Sequence, residues 1–584
     1  MPFFLCEIDV MCLCCKNKKI VLLHGCFLRQ GLYMERSCAA WFIQLVIYMA
    51  LKPFLLIPYT TVIFVWLKSN TMMAVSYKKL LYRLLIITIL VKIFISLFVE
   101  LGIDESYYWM YAIQPDWNHF DHPPMVGFLI RLSTLNLHWV NDVSMRLGAI
   151  FSGAVATIFI FKTGRLLKNE RIGWYAALIY NCSIYTAIIA GMFIMPDSPQ
   201  MVFWTAALYL MAVLLMQNKE KSLGIWLLLG LMIGLALYSK VHGLYLWTGF
   251  GLFIIIKKPK WLLNYRLYVS VLVSLLFVVP IVWWNIQNDF ITYRYHSERV
   301  THTTIQVDDF LREVIGEFAY QNPVVFILLI VAIIYVIKNR SAIFNAIINT
   351  WIICMSIPMI FLFWGISMFN ATLPHWSGPA YIPLYFFGAV YLEKISVITV
   401  PGFLKTAYWL LGGTLLLGIL LVQLAPFNLG SQDKANFGEY CPTLDVSGWT
   451  TFSHQLDTLM KADVAKGTMQ PDAPIIVGKM FPGGHLEYYT HRITGHRVIA
   501  IGPLDEIHKF AWLNNARKPL QIGDDAYCVV PSNLPFDPHK AFDKYFTTIE
   551  QPEVINQIRG GKIVRYFYVY RMKNCKALPT PLKL

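Results

Sequence analysis

Charge is what this chain has least of. Only 14% of its 584 residues are Asp, Glu, Lys or Arg, against about 25% in ordinary soluble domains. That scarcity argues against a conventional water-soluble globule, and a 57% hydrophobic composition argues against a solvated disordered chain. No low-complexity tract and no internal repeat is visible, whereas transporters tend to show duplicated halves. Acids are outnumbered by bases, 34 to 49, for a net charge of +15. The bases are scattered through short loops rather than gathered in one stripe. They read as topology signals and not as a nucleic-acid surface.

What the chain does have is long apolar sequence. A helix needs about twenty such residues to cross a bilayer. From residue 79 onward eleven stretches are candidates: 79–101, 143–162, 172–193, 200–217, 222–239, 243–256, 263–284, 323–337, 346–368, 380–392 and 405–424. The connections "KTGRLLKNER" (162–171), "KKPKW" (257–261) and "KNR" (338–340) are short and basic, as cytoplasmic loops are. Those on the opposite side hold residues 102–142, 195–200, 239–243, 285–322 and 369–381. The expected fold is mainly α: a polytopic transmembrane helix bundle of about 11 spans, up to 13, spanning residues 72–424.

After residue 425 the composition turns polar. "IIVGKM", "HRVIAIG", "AYCVVPS" and "RYFYVYRMK" read as strands between Gly- and Pro-rich turns. Residues 425–584 are therefore expected to form a small soluble α/β domain on the outer face. Cys441, Cys528 and Cys575 fall there, so a disulfide is open to it in an oxidising compartment. At the other end, residues 1–71 hold Cys6, Cys12, Cys14, Cys15, Cys26 and Cys38 without a second ligand pair at metal-knuckle spacing. They read as an extension ahead of a start at Met72 or Met73, or as extra spans within 39–67.

The polar motifs gather on the outer side. "DESYYWMYAIQPDWNHFDHPP" (104–124) places Asp104 and Glu105 three residues past a span. A carboxylate there serves as a general base toward a hydroxyl or amine; the plainer alternative is a helix cap and a solvated neighbour. Asp121 and His122 precede two prolines, which hold the backbone extended and stiff. Such a fixed pair suits a metal ligand, a phosphate contact or a support for Asp104. "YSKVHG" (238–243) places Lys240 and His242 where a lipid-linked phosphate would lie, although an ordinary snorkelling lysine fits as well. Asn285, Arg294 and His296 follow in "WWNIQNDFITYRYHSERVTH", and His375 and Trp376 in "LPHWSGPAY". Lys92, in mid-span, is expected to pair with Glu100 or a neighbouring helix.

In this order, "DESYYW", "DWNHFDHPPMVGFLI", "MPDSP", "YSKVHG", "WWNIQNDF" and "HWSGPAY" resemble the polytopic glycosyltransferases of the GT-C class. The likeness is to bacterial relatives of the protein O-mannosyltransferases and of the lipid A aminoarabinose transferase, and it runs from about 79 to 395. The resemblance implies an enzyme moving a sugar from a polyprenyl-phosphate donor to a lipid, glycan or protein acceptor on the non-cytoplasmic face, by inverting displacement. It also implies a bacterial inner membrane with a periplasmic site. It places the catalytic carboxylate on Asp104, with Glu105 beside it. It places a donor-phosphate contact on Lys240; on their own chemistry His242, His122 and Arg294 are further phosphate candidates, and Asn285, His375 and Trp376 candidates for acceptor or positioning roles. Asp121 would organise the acceptor or a divalent metal. Relatives often carry Lys where this chain has His122, which weakens a phosphate role there. The alternatives are a polysaccharide polymerase or ligase using the same carriers and, more remotely, a membrane transporter.

Overall fold

A computed structural model describes residues 76–298, 304–339 and 344–580, all within one compact unit. The readings for residues 1–71 lie outside the described residues. Among the described residues, five helices are long and apolar enough to cross a membrane: Asp142–Leu167, Asp197–Met216, Tyr265–Gln287, Ala346–Ser367 and Gly402–Leu424. A sixth follows if Val307–Tyr320 and Pro323–Lys338, bent by 98°, count as one broken span. The other apolar stretches form helices that are shorter or more charged. The stretch expected at 172–193, for example, is helical only over Glu170–Cys182 before a π-helical turn at Tyr185–Ile189.

Small residues set how closely these helices pack. A side chain on Gly173 would collide with the backbone oxygen of Phe161, so the Glu170–Cys182 helix lies directly against Asp142–Leu167. Around that contact, Trp174, Tyr175, Ile179, Trp204, Leu208 and Phe386 belong to one continuous apolar core. Lys92 is buried in the bundle, where its ammonium lies beside Gly153 and Gly191. Glu100, its expected partner, instead accepts the backbone N–H groups of Trp449 and Thr450 at 2.7 and 3.0 Å.

The four expected strands are present as β1 (Ile475–Val477), β2 (Val498–Ala500), β3 (Ala526–Pro531) and the end strand Lys562–Cys575. The last is β6, because β4 (Phe546–Ile549) and β5 (Glu553–Arg559) intervene. β1 lies between β2 and β3 and runs parallel to both. β6 pairs antiparallel with β3 along one edge and with β5 and β4 along the other. Cys441, Cys528 and Cys575 are all free and buried, so the expected disulfide is not formed. Cys528 packs from within β3 as a small apolar side chain, whereas the Cys441 sulfur accepts the Leu429 N–H at 3.2 Å and the Cys575 thiol donates to Ala577 O at 3.4 Å.

The sheet domain does not stand apart from the loop at 102–142. Tyr107 to Ala112 of the Ile103–Ile113 helix share one apolar core with Phe452, Ile475, Tyr527 and Phe567. The seam is also pinned by hydrogen bonds. Leu101 N–H donates to Tyr489 at 2.6 Å, Ile103 N–H to Asp445 at 3.2 Å, and the Gln114 amide to Trp512 O at 3.1 Å.

Candidate active site

Asp104 lies in the first turn of the Ile103–Ile113 helix, where backbone N–H groups favour a negative charge. Its side chain is open to solvent, and its carboxylate accepts no hydrogen bond among the described residues. Protein nevertheless surrounds it closely enough that desolvation, followed by the negative charges of Asp121 and Glu105, pushes its pKa up to about 6, against the opposing pull of Lys240. An accessible carboxylate with free lone pairs, poised near neutral pH, has the properties of a general base.

Glu105 faces the other way. It is buried and receives the Arg146 guanidinium through two bonds, at 2.8 and 2.5 Å. It also accepts the N–H groups of Gly102 and Ile194 at 3.0 and 3.1 Å. Arg146 in turn donates to the carbonyls of Val99 and Glu100. These four bonds occupy both carboxylate oxygens of Glu105. It fixes the helix that carries Asp104.

Asp121 and His122 occupy the stiff turn before Pro123 and Pro124. The Asp121 carboxylate accepts from the Tyr107 hydroxyl at 2.8 Å and also from Tyr111, and its backbone oxygen contacts the His296 ring at 2.9 Å. Tyr107 and Tyr111 are one helical turn apart, so both hydroxyls reach the same oxygen. The His122 ring packs against Tyr108 and lies 6.4 Å from that of His296. Burial, partly offset by Asp121, brings the His122 pKa down to about 4. Its imidazole is therefore neutral at pH 7. Among the described residues no group of three or more His, Cys, Asp or Glu side chains is disposed to hold a metal ion. The Asp121 surroundings, two phenol hydroxyls on one oxygen, fit a fixed hydrogen-bond acceptor better than a metal ligand.

Lys240 ends the Leu223–Ser239 helix, and its ammonium meets Asp197 of "MPDSP" at 2.8 Å with both side chains buried. Asp197 also accepts from the Tyr185 hydroxyl at 2.9 Å, and Lys240 O accepts from the Gln200 amide at 3.1 Å. Beside this pair, the His242 ring stacks on Phe363 and lies 6.1 Å from Trp376. His375 is half-buried, and burial brings its pKa down to about 4. The charges of Lys240 and Asp197 act on both His122 and His375, so these groups from separate loops lie within electrostatic reach of one another.

Two expected members sit differently. Arg294 is exposed on the Ile291–Glu298 helix. Asn285 is fully buried, with its amide donating to Ile281 O at 3.0 Å and its Oδ1 unpartnered among the described residues. Asp197, Tyr107, Tyr111 and Arg146 were not singled out by the sequence. The one available signal was Asp197, an acid before a proline-bearing turn, as in "FDHPP".

Comparison with known proteins places this arrangement. The family model for dolichyl-phosphate-mannose-protein mannosyltransferase matches residues 121–284. Lipid A galacturonosyltransferase RgtD of Rhizobium johnstonii is 24% identical over 288 residues, 48% of this chain and 58% of that protein. The chain thus spans less than two thirds of that relative. Crystal structures of ArnT from Cupriavidus metallidurans superpose with TM-scores of 0.51 in the apo state and 0.52 bound to undecaprenyl phosphate. They cover 85% and 86% of this chain, and 98% and 99% of theirs, at 15% and 16% identity.

The fold is of the GT-C type. With its apolar helices, it makes the chain an integral membrane protein.

Proposed function

We propose that this protein is a membrane glycosyltransferase that moves a sugar from a polyprenyl-phosphate donor to an envelope acceptor, either a glycolipid or a protein. The observation that carries this reading is the Asp104 carboxylate: accessible, accepting no hydrogen bond among the described residues, raised to about 6, and within electrostatic reach of the Lys240–Asp197 pair. The similarity to a lipid A galacturonosyltransferase and the fold shared with an undecaprenyl-phosphate-bound ArnT support it.

The acceptor hydroxyl or amine gives its proton to Asp104 as its oxygen or nitrogen forms a bond to the anomeric carbon. The bond from that carbon to the phosphate oxygen breaks, and polyprenyl phosphate departs with the electron pair. Attack opposite the leaving group inverts the anomeric centre. Phosphate is a good leaving group, so one base and one nearby cation, Lys240, meet the chemical need. Glu105 and Arg146 hold the catalytic helix, while Tyr107 and Tyr111 hold Asp121. We place this site on the periplasmic face of a bacterial inner membrane, because the short basic loops lie on the opposite side.

The test is purified protein in lipid nanodiscs with undecaprenyl-phosphate-linked sugars and envelope extracts, read by mass spectrometry. A mass increment of one sugar on a lipid or protein, dependent on Asp104, is the expected result. Consumption of nucleotide sugar without the lipid donor would overturn the proposal.

A further inference from the structure

A cleft of about 530 Å³ is lined by the sheet domain and by Ile103, and none of its lining residues belongs to the Lys240–Asp197 cluster. That volume is within the usual range for small-ligand sites, about 300 to 1,000 Å³. Its place in the sheet matters more. β1 has β2 on one side and β3 on the other, all parallel, so the chain reverses its direction of winding between β1 and β3. In open α/β sheets, ligands bind beyond the carboxyl ends of strands at that reversal. The cleft lies there, lined by Val477 at the end of β1, by Gly478 and Lys479 after it, and by the end of β3.

Its chemistry narrows the ligand. Asn533 is buried in the wall, and its Oδ1 has no partner among the described residues. A buried acceptor left open in this way asks for a donor from outside. Asp445 and Glu439 add carboxylates. The one ammonium in the lining, Lys479, is already paired with Glu506 at 3.0 Å. Acceptors thus outnumber free cations, which disfavours a phosphate or other anion. The Phe536 ring stands against Gly478, where a side chain would displace it, and Tyr440 is exposed at the edge. Flat apolar faces beside hydrogen-bond acceptors match a ring with C–H faces and a rim of hydroxyl or amino donors.

We propose that this cleft binds a saccharide, the glycan portion of the acceptor, and presents it next to the helix that carries Asp104. The acceptor role rests on the transferase reading above; saccharide binding does not. Asp445 connects the two places, because it lines the cleft and also accepts the Ile103 N–H at 3.2 Å, one residue before Asp104.

The experiment titrates full-length protein in nanodiscs with a free glucosamine disaccharide by calorimetry, with inorganic phosphate and undecaprenyl phosphate as separate titrants. Asn533→Ala and the exposed-site variant Tyr440→Ala are compared with the parent chain, with thermal melting as the check on folding. Disaccharide binding weakened at least about tenfold in either folded variant, with undecaprenyl phosphate binding unchanged, supports the proposal. Equal binding by both variants, no disaccharide binding by the parent chain, or displacement of the sugar by phosphate overturns it. A parent chain that binds the disaccharide but not undecaprenyl phosphate would count against the transferase reading alone.

Discussion

The Lys240 ammonium and the Asp197 carboxylate are 2.8 Å apart, both buried, with the Tyr185 hydroxyl on the same carboxylate. A donor phosphate reaching Lys240 therefore meets a cation that already has a partner, and must share it with Asp197. Removing either charge alone strands the other in a low-dielectric setting, at a cost of about 3–5 kcal/mol. Lys240→Ala and Asp197→Ala should each lower the melting temperature clearly. The double variant Lys240→Met with Asp197→Leu should recover most of that stability and still fail to bind donor lipid. Donor binding by the double variant would separate Lys240 from phosphate recognition.

Glu105 and Asp104 are neighbours with opposite commitments, and melting separates them. Glu105→Gln leaves the buried Arg146 without its counter-charge, so it should destabilise the fold by about 3–5 kcal/mol. Asp104→Asn removes no hydrogen bond among the described residues and should melt as the parent chain does. A stable Glu105→Gln protein would mean that Arg146 finds compensation elsewhere.

Turnover should depend on Asp104 in a pH-readable way. Its carboxylate is basic only when ionised, so with a pKa of about 6 the rate should rise with pH through that value. Below it, the rate should fall about tenfold per pH unit. Asp104→Asn should lower turnover by about a hundredfold or more, the scale for losing a general base, and abolish that limb while leaving donor affinity intact. Near-normal turnover in this variant would remove Asp104 from the mechanism.

Asp121 is held by two tyrosines rather than set among metal ligands, so EDTA treatment followed by desalting should leave turnover unchanged. Tyr107→Phe and Tyr111→Phe should each slow the reaction by removing a bond that fixes Asp121. Loss of activity on chelation, restored by one divalent ion, would instead assign Asp121 to a metal.

The gross architecture was legible because it rests on composition and period. Apolar runs marked the bundle, and Val- and Tyr-rich segments marked β1, β2, β3 and β6. β4 and β5 escaped because each shows the solvent at least two polar side chains, "FTTI" and "EVINQIR", with no apolar run to mark them. Several apolar runs also gave helices shorter than a span, because an apolar stretch records burial and not helix length. The polar clusters were recognisable as motifs, but the partners of Lys240 and Glu105 were not. Asp197 is 43 residues from Lys240, and Arg146 is 41 from Glu105. Local spacing carries no information about pairs so distant.

The seam between the loop at 102–142 and the sheet domain also bears on how the protein is made. Glu100, Leu101 and Ile103 are held by Trp449, Tyr489 and Asp445, which are translated roughly 350 residues later. Pairings of such long range form late, after much loop-closure entropy has been spent. On a ribosome, the loop carrying Asp104 thus waits without its clamp until residues 445–489 have been synthesised. Truncated or stalled products would insert their early helices yet hold the base in an unsupported helix. On the proposed function, the helix that carries Asp104 gains its support only once the sheet domain has been made, so that domain acts as a completion check on the site.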